Sequence, residues 1–203
     1  MQDFLDECLK TTIYRVNKDA FSKEIKIGNV IYTVATGGLH SQDNPVELWS
    51  SGRELFPSST GGQHDVLNDD DYVYIHADIN SMYPSIIAAH KVAPAHLDTN
   101  AFCNLIGGLK NKRVEVKHSD EDTVDGIDRD TLALVLKIVI NSVYGKLGFE
   151  NGNLYDRLAV LKTTINGQLM MLMLVEELEL HNIHVLSANT DGIVIKLYKR
   201  DID

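Results

Sequence analysis

Apolar and polar residues alternate in two short parts of the chain, and a period of two predicts β-strands. These parts are residues 29–34 and residues 72–78. In the second part, three apolar side chains fall on the same face of the strand: Val73, Ile75 and Ala77. The opposite face carries the aromatic and polar residues Tyr72, Tyr74, His76 and Asp78. We therefore expect a strand over residues 72–78 that ends at a carboxylate.

The chain after this strand shows helical spacing in four stretches. The first is predicted to follow a cap at Asn80 or Ser81 and to run through Ala89. The other three helices are predicted over residues 100–118, 131–144 and 158–180. Gly145 is typical of a C-cap for the helix over residues 131–144.

Two further apolar stretches are short enough to be strands. They are residues 184–187 and 193–197, joined through the sequence Asn189-Thr190-Asp191-Gly192. An Asp-Gly pair between apolar runs is a strong hairpin signal. Residues 36–71 are rich in Gly, Ser, Asp and Pro, which indicates a loop. Helices mixed with a hairpin favour an α+β fold with an antiparallel sheet over a doubly wound parallel one.

The composition is that of an ordinary globular protein, with 203 residues of which 44% are hydrophobic. The formal net charge of −10 argues against a self-sufficient nucleic-acid binder, and half of it lies in residues 119–130. No uninterrupted apolar run approaches the roughly 18 residues of a membrane span, and the N-terminus shows no export signal. Two cysteines, Cys8 and Cys103, without a Cys-x-x-Cys favour a reducing, cytoplasmic setting.

Asp78 stands at the predicted end of a strand, directly before a helix N-terminus. A carboxylate in that position can hold a divalent cation, and the free N–H groups of the next helical turn can bind a phosphate. The same residues also suit an ordinary strand-to-helix corner. Asp191, in the predicted hairpin turn, has two interpretations as well, a second metal ligand or a plain turn residue.

Lys137, Asn141 and Tyr144 have i, i+4 and i+7 spacing and therefore share one helical face. A cation, an amide and a phenol on one face suit a phosphate with a base or sugar; a solvated face is the other interpretation. Arg113 and Lys117 form a cationic i, i+4 pair on the preceding helix. If these helices pack antiparallel, the three cations can converge on one polyanion. Apolar residues are expected to bury elsewhere on the helix: Leu132, Leu136, Val139 and Val143.

Two acids from separate strands, facing three cations, are the arrangement that metal-assisted phosphoryl transfer requires. The sequence here resembles family B DNA polymerases of the phage type. Residues 78–87 are similar to the family's first palm motif, Asp-x-x-Ser-Leu-Tyr-Pro-Ser-Ile-Ile, with Met82 in place of Leu. Residues 137–145 match its fingers motif, Lys-x-x-x-Asn-Ser-x-Tyr-Gly, at every named position. Residues 189–192 resemble its second palm motif, Asp-Thr-Asp-Ser, with Asn189 and Gly192 as departures.

The resemblance implies a palm whose antiparallel sheet carries the acids, and fingers formed by a two-helix excursion. The implied domains are a pre-palm segment and loop with part of the palm (1–71), the first palm part (72–97), the fingers with an acidic tip (98–147) and the second palm part (148–203). An upstream exonuclease and a downstream thumb would be missing parts of the same polymerase. The implied setting is the cytoplasm of a bacterial or phage-infected cell, with no membrane partner.

The resemblance also implies roles in adding dNTPs to the 3′-OH of a primer paired with template DNA. Two Mg²⁺ ions, or Mn²⁺ in their place, are expected on Asp78, the Ile79 carbonyl and Asp191, with Lys137 protonating the leaving pyrophosphate. Contacts to the dNTP are expected from Ser81, Met82, Tyr83, Arg113, Lys117, Lys137, Asn141 and Tyr144. Contacts to DNA are expected from Gly37, Gly38, Gly145 and Thr190, the first two because they resemble a Tyr-x-Gly-Gly element that touches the template.

Asn189 leaves the predicted metal site with two definite carboxylates instead of three. We expect the first Asp of the motif to be dispensable for ligation. The alternative is a catalytically degenerate, polymerase-like binding or accessory module, which would show no Mg²⁺-dependent dNTP binding at Asp78 and Asp191. A third interpretation is a sheet-based RNA binder, which would need aromatic residues such as Tyr72 and Tyr74 on an open sheet face.

Overall fold

The structure is a computed structural model that describes residues 22–42, 66–68 and 72–201. It divides into two compact units. The first unit contains the described residues up to Asn80 and those from Ile165 onwards, and the second is Ser81–Thr164. Cys8 and most of the loop predicted over residues 36–71 lie outside the described residues.

The described part of the chain contains nine strands. They are β1 (Lys23–Ile27), β2 (Val30–Val34), β3 (His40–Gln42), β4 (Val66–Asn68), β5 (Tyr72–Asp78), β6 (Thr123–Val124), β7 (Ile127–Asp128), β8 (His184–Asn189) and β9 (Gly192–Tyr198). Seven form one sheet in the order β1-β2-β3-β8-β9-β5-β4, and every neighbouring pair is antiparallel. The strand predicted over residues 72–78 has the predicted bounds, and β8–β9 is the predicted hairpin.

Four α-helices occur in the same described ranges. They are α1 (Met82–Ala89), α2 (Thr99–Lys117), α3 (Arg129–Leu147) and α4 (Arg157–Leu180). Asp98 caps α2 by accepting the N–H of Ala101, and Asp128 caps α3 by accepting the N–H of Thr131. An antiparallel sheet combined with these helices confirms the predicted α+β class.

Helix α3 is longer than predicted, because Gly145 does not end it. The helix continues through Gly145 to Leu147, and Gly148 occupies the C-cap. A glycine inside a helix costs about 1 kcal/mol relative to alanine, which packing of the flanking turns can offset. The prediction that Gly145 is a C-cap is therefore wrong.

The buried side of α3 also differs from the prediction. Ile140 is 2% exposed, whereas Val139, which was expected to be buried, is 42% exposed. The reason is that α3 packs against α2 within the second unit, and the spacing of Ile140 and Leu147 puts both on that side. Leu147 shares its apolar cluster with Ile87 of α1 and Ile106 of α2. Arg129, the first residue of α3, donates to the carbonyl of Ser119 just after α2, whereas Leu147 at the other end of α3 packs with Ile106. The two helices therefore run antiparallel, as expected.

The acidic segment between α2 and α3 forms a hairpin of β6 and β7 where the sequence predicted a loop. Its two-residue turn is Asp125-Gly126, with φ angles of 53° and 77°. Two consecutive left-handed residues are typical of a type I′ hairpin turn. Lys112 of α2 forms an ion pair with Asp125 at 2.9 Å. The Asp-Gly signal that predicted β8–β9 is thus present at this turn too.

Helix α4 is the one helix in the described residues that is long and apolar enough, by length and composition, to cross a membrane. It contains no uninterrupted apolar run of that length, because polar residues such as Gln168 interrupt it. Of its most apolar window, 56% is buried inside the protein. Gln168 itself is 1% exposed and is hydrogen-bonded to the main chain of Ala35. We therefore interpret α4 as a core helix.

Candidate active site

Asp78 and Asp191 lie next to each other at one end of the β5–β9 strand pair. Asp78, the last residue of β5, is paired in register with Gly192, the first residue of β9. Asp191 precedes Gly192 in the turn, and its carbonyl accepts the N–H of Ile79 at 2.8 Å. The two acidic residues are therefore on adjacent main-chain segments that a hydrogen bond holds together. Because Asp191 is a turn residue, strand alternation does not fix the direction of its side chain.

The turn that carries Asp191 has a strained residue, Thr190. Its φ of 56° lies in the left-handed region, which β-branched residues rarely adopt. The Thr190 N–H donates to the carbonyl of Leu39 at 2.7 Å, and its hydroxyl donates to Oδ1 of Asn189 at 3.1 Å. Asn189, which replaces the first Asp of the motif, therefore has a partner within the turn itself.

The Gly37–Gly38 segment approaches this turn closely. A methyl group at Gly38 would lie 3.0 Å from Cβ of Thr190 and still nearer its hydroxyl oxygen, whereas a methyl group at Gly37 would meet nothing within 4 Å. The close approach therefore requires a glycine at position 38 but not at position 37. The structure thus brings together two of the predicted DNA-contact residues, Gly38 and Thr190.

Gln168 supports the Gly37–Gly38 segment, and no sequence motif indicated this role. Its side-chain amide accepts the N–H of Ala35 at 2.9 Å and donates to the carbonyl of Ala35 at 2.8 Å. This pair of bonds holds the main chain just before Gly37, as a neighbouring strand would. The pairing spans 133 positions, so local spacing cannot reveal it. The available signal was an amide in a largely apolar helix, because a buried polar side chain needs a partner.

Within the second unit, a cation lies at the start of α1. Arg113 of α2 donates through Nη1 to Oγ of Ser81 at 2.8 Å. Ser81 occupies the N-cap position with a φ of 53°, and its side chain makes no capping hydrogen bond to the helix. The N-terminus of a helix favours anions, and a guanidinium beside it adds to that preference. Met82, the next residue, is buried, so only its main chain can serve a ligand there.

Tyr83 of α1 and Tyr144 of α3 stack on each other in the same unit. Their ring centroids are 4.3 Å apart, with an angle of 32° between the planes. Burial, with a smaller contribution from Tyr83, raises the pKa of the Tyr144 phenol to about 12. Tyr144 is therefore uncharged throughout the physiological pH range.

The other predicted residues of the helical pair are on the surface. Lys117 is exposed on α2, and Lys137, Asn141 and Gly145 are exposed on α3. The antiparallel packing that their convergence requires is present. Convergence of Arg113, Lys117 and Lys137 on one polyanion stays a prediction.

The donor set at the β5–β9 end fits Mg²⁺. Among residues 22–42 and 72–201 there is no group of three or more His, Cys, Asp or Glu side chains suited to holding a metal ion. Two carboxylates match the way Mg²⁺ is usually bound, through one or two carboxylates with waters and substrate phosphates completing the octahedron. The Asp78 side chain is 37% exposed, which leaves room for those other ligands.

Comparison with known proteins points to one family. Residues 101–197, which include the Lys137 motif and Asp191, match the model of DNA polymerase family B. The chain is 30% identical over 149 residues to the DNA polymerase of Thermococcus sp. (strain 9oN-7), an alignment that covers 61% of this chain and 19% of that protein. The chain is thus similar to DNA polymerase family B over slightly less than half of its length. It is also 30% identical over 152 residues to the DNA polymerase alpha catalytic subunit of Oryza sativa subsp. japonica, covering 66% of this chain and 10% of that protein.

A solved structure of the family B DNA polymerase from the archaeon Pyrobaculum calidifontis aligns with 70% of this chain and 23% of that chain, with a TM-score of 0.47 and 17% identity. The chain spans about a fifth or less of the length of the curated relatives named above. Those relatives are archaeal and plant proteins, so the phage-type part of the prediction stays untested.

Proposed function

We propose that this chain supplies the palm and fingers of a DNA polymerase that adds dNTPs to a primer 3′-OH on template DNA. The observation that carries the proposal is the adjacency of Asp78 and Asp191, which the Ile79–Asp191 hydrogen bond maintains. Similarity to family B supports DNA synthesis as the general activity. In the reaction the 3′-oxygen attacks the α-phosphorus of the dNTP, the bond to the bridging oxygen breaks, and pyrophosphate leaves.

Asp78 and Asp191 would hold two Mg²⁺ ions, with the carbonyl of Ile79 as a further ligand. The ions held by these residues would supply activation of the 3′-OH and neutralisation of charge on the phosphates. Asn189 would not be a direct ligand; its amide oxygen accepts the Thr190 hydroxyl within the turn. Lys137 would give a proton to the departing pyrophosphate.

The triphosphate would bind at the start of α1, through the main-chain N–H groups of Ser81 and Met82. Arg113 supports this role because its guanidinium already lies on Ser81. Lys117 and Lys137, both exposed, would complete the charge balance against the phosphates.

The sugar and base of the dNTP would contact the aromatic pair. Tyr83 would lie under the sugar, where a 2′-OH would collide, and Tyr144 would line the nascent base pair next to Asn141. A phenol with a pKa of about 12 presents a neutral ring to a highly charged substrate. The stacking of Tyr144 on Tyr83 supports a shared role, because each ring limits the positions of the other.

Template and primer strands would contact Gly37, Gly38, Gly145 and Thr190. The support for this is local: the Gly37–Gly38 segment is held against the Asp191 turn by the Thr190–Leu39 bond. A strand lying on this segment would therefore be close to the acids.

The test is Mg²⁺-dependent binding of a dNTP to the 203-residue chain, measured by isothermal titration calorimetry. Wild type is expected to bind only with Mg²⁺ present, and Asp78→Asn and Asp191→Asn are each expected to remove that dependence. Asp120→Asn, an exposed acid of the β6–β7 segment, is the matched control and should bind as wild type does. Metal-independent binding, or none, would favour the non-catalytic module.

A further inference from the structure

Three residues lie together on one face of the β5–β9 pair at its catalytic end. His76 and Asp78 are two positions apart in β5 and therefore point to the same side. Nε2 of His76 is 3.5 Å from Oδ1 of Asp78, and both side chains are a little over one third exposed. Gly192 is the cross-strand partner of Asp78, so its missing side chain would belong on this face too.

Gly192 makes the space that Asp78 and His76 occupy. A methyl group at position 192 would lie 2.5 Å from Oδ1 of Asp78 and 3.1 Å from Nε2 of His76. The φ of Gly192 is not in the left-handed region, so the backbone there does not require glycine. The atoms in conflict are the ends of two side chains, which can rotate away. A larger residue at 192 would therefore displace the carboxylate and leave the backbone in place.

We propose that His76 is a positioning residue for the Asp78 carboxylate. The absence of a side chain at Gly192 leaves the room that this contact needs. The inference rests on the proposed function, in which Asp78 binds the catalytic metal. It also gives a reason for the second departure of this chain from the palm motif. Serine at position 192, the family residue, is incompatible with the present place of Oδ1.

The chemistry requires only an imidazole N–H directed at Oδ1. The observed separation exceeds an ordinary N–H···O distance by about half an ångström, which a small side-chain rotation removes. With Oδ1 engaged by His76, the other carboxylate oxygen is left for the cation. Hydrogen bonds to a ligating carboxylate orient it, and losing such a partner commonly costs 10–100-fold in metal affinity.

The test is the Mn²⁺ affinity of the full chain, measured by electron paramagnetic resonance of free Mn²⁺, which requires no activity. His76→Val removes the N–H and is expected to weaken binding by about tenfold. His76→Gln, whose amide N–H reaches about the same place, is expected to restore most of it. Gly192→Ser is expected to weaken Mn²⁺ binding with an unchanged Tm. In the Gly192→Ser protein, His76→Val should lower the Mn²⁺ affinity by a smaller factor than it does in wild type.

Gly108→Ser is the control, because this exposed glycine of α2 has nothing within 4 Å of its added group. Binding that depends on Asp78 but is unchanged in His76→Val and Gly192→Ser would overturn the inference alone. A nitrogen coupling to bound Mn²⁺ that disappears in His76→Val would make His76 a ligand and would also overturn it. Mn²⁺ binding with no dependence on Asp78 would overturn the proposed function together with the inference.

Discussion

The main-chain N–H of Ile79 donates to the carbonyl of Asp191 at 2.8 Å. This bond continues the β5–β9 ladder by one step past the pair formed by Asp78 and Gly192. It fixes the main chain next to both acids. The relative position of Asp78 and Asp191 therefore depends on sheet geometry and not on a long loop. The sheet therefore supplies the rigidity that a shared metal site needs.

The Asp191 turn gives the first prediction. Asp191→Ala should abolish primer extension by the chain reconstituted with the exonuclease and thumb parts that the family resemblance implies, because it removes a carboxylate of the proposed metal site. Asn189→Asp should leave extension intact or raise it, because an Asp carboxylate can still accept the Thr190 hydroxyl. Gel-based extension assays with a labelled primer measure both. Extension by Asp191→Ala at the wild-type rate would contradict the assignment of this residue.

The second prediction concerns pH and Tyr144. Its phenol has a pKa of about 12 when folded, against an ordinary value of 10.0, so the unfolded chain loses that proton first as pH rises. The contribution of the protonated Tyr144 phenol to the free energy of unfolding is therefore fully present below pH 10 and is lost as the pH rises to about 12. Denaturant titrations across this pH range measure the free energy of unfolding of wild type and Tyr144→Phe. The decrease in that free energy with rising pH should be smaller in the variant.

A tyrosinate absorbance titration checks the same residue directly. The transition near pH 12 should vanish in Tyr144→Phe. In Tyr83→Leu it should move towards lower pH, because removing the stacked ring exposes the phenol. A transition near pH 12 that persists in Tyr144→Phe would assign the raised pKa to another tyrosine.

The third prediction concerns Gln168. Gln168→Leu keeps the approximate size of the side chain but removes both hydrogen bonds to Ala35. Because those main-chain groups are beside a buried side chain, the expected loss is about 2–4 kcal/mol in the free energy of unfolding. Gln42→Leu is the matched control, since Gln42 is exposed and bonded only to Glu24 among the contacts described; it should change stability by less than about 0.5 kcal/mol. Equal effects of the two substitutions would contradict the supporting role of Gln168.

The adjacent glycines give the fourth prediction. Gly38→Ala should destabilise the protein by about 1–3 kcal/mol, because its methyl group would meet Thr190, whereas Gly37→Ala has open space. Thermal unfolding followed by circular dichroism separates the two. The larger drop in Tm should belong to Gly38→Ala, and the reverse order would mean that the segment does not approach the turn as described.

Much of the fold was predictable because its signals are local. Alternation over residues 72–78 gave the bounds of β5, and capping residues with helical spacing located the helices to within a few positions. Local signals also misled: Gly145 suits a C-cap, yet the helix continues because Leu147 is buried in the core beyond it. The Asp125-Gly126 hairpin was missed because its strands are only two residues each, too short for alternation to register.

The acids of the candidate site were predictable, and their surroundings were not. A strand ending at Asp78 and a hairpin containing Asp191 were both visible as patterns. The contacts of Gln168 with Ala35, of Gly38 with Thr190 and of Gly192 with Asp78 depend on sheet order and register. Those features are set by tertiary packing between distant parts of the chain, which periodicity does not encode.

Anomalous diffraction from crystals of the chain soaked with Mn²⁺ and a dNTP tests the shared metal site most directly. A peak within about 2.5 Å of carboxylate oxygens from both Asp78 and Asp191 is the predicted result. Mn²⁺ bound elsewhere, or by one of the two acids without the other, would contradict it.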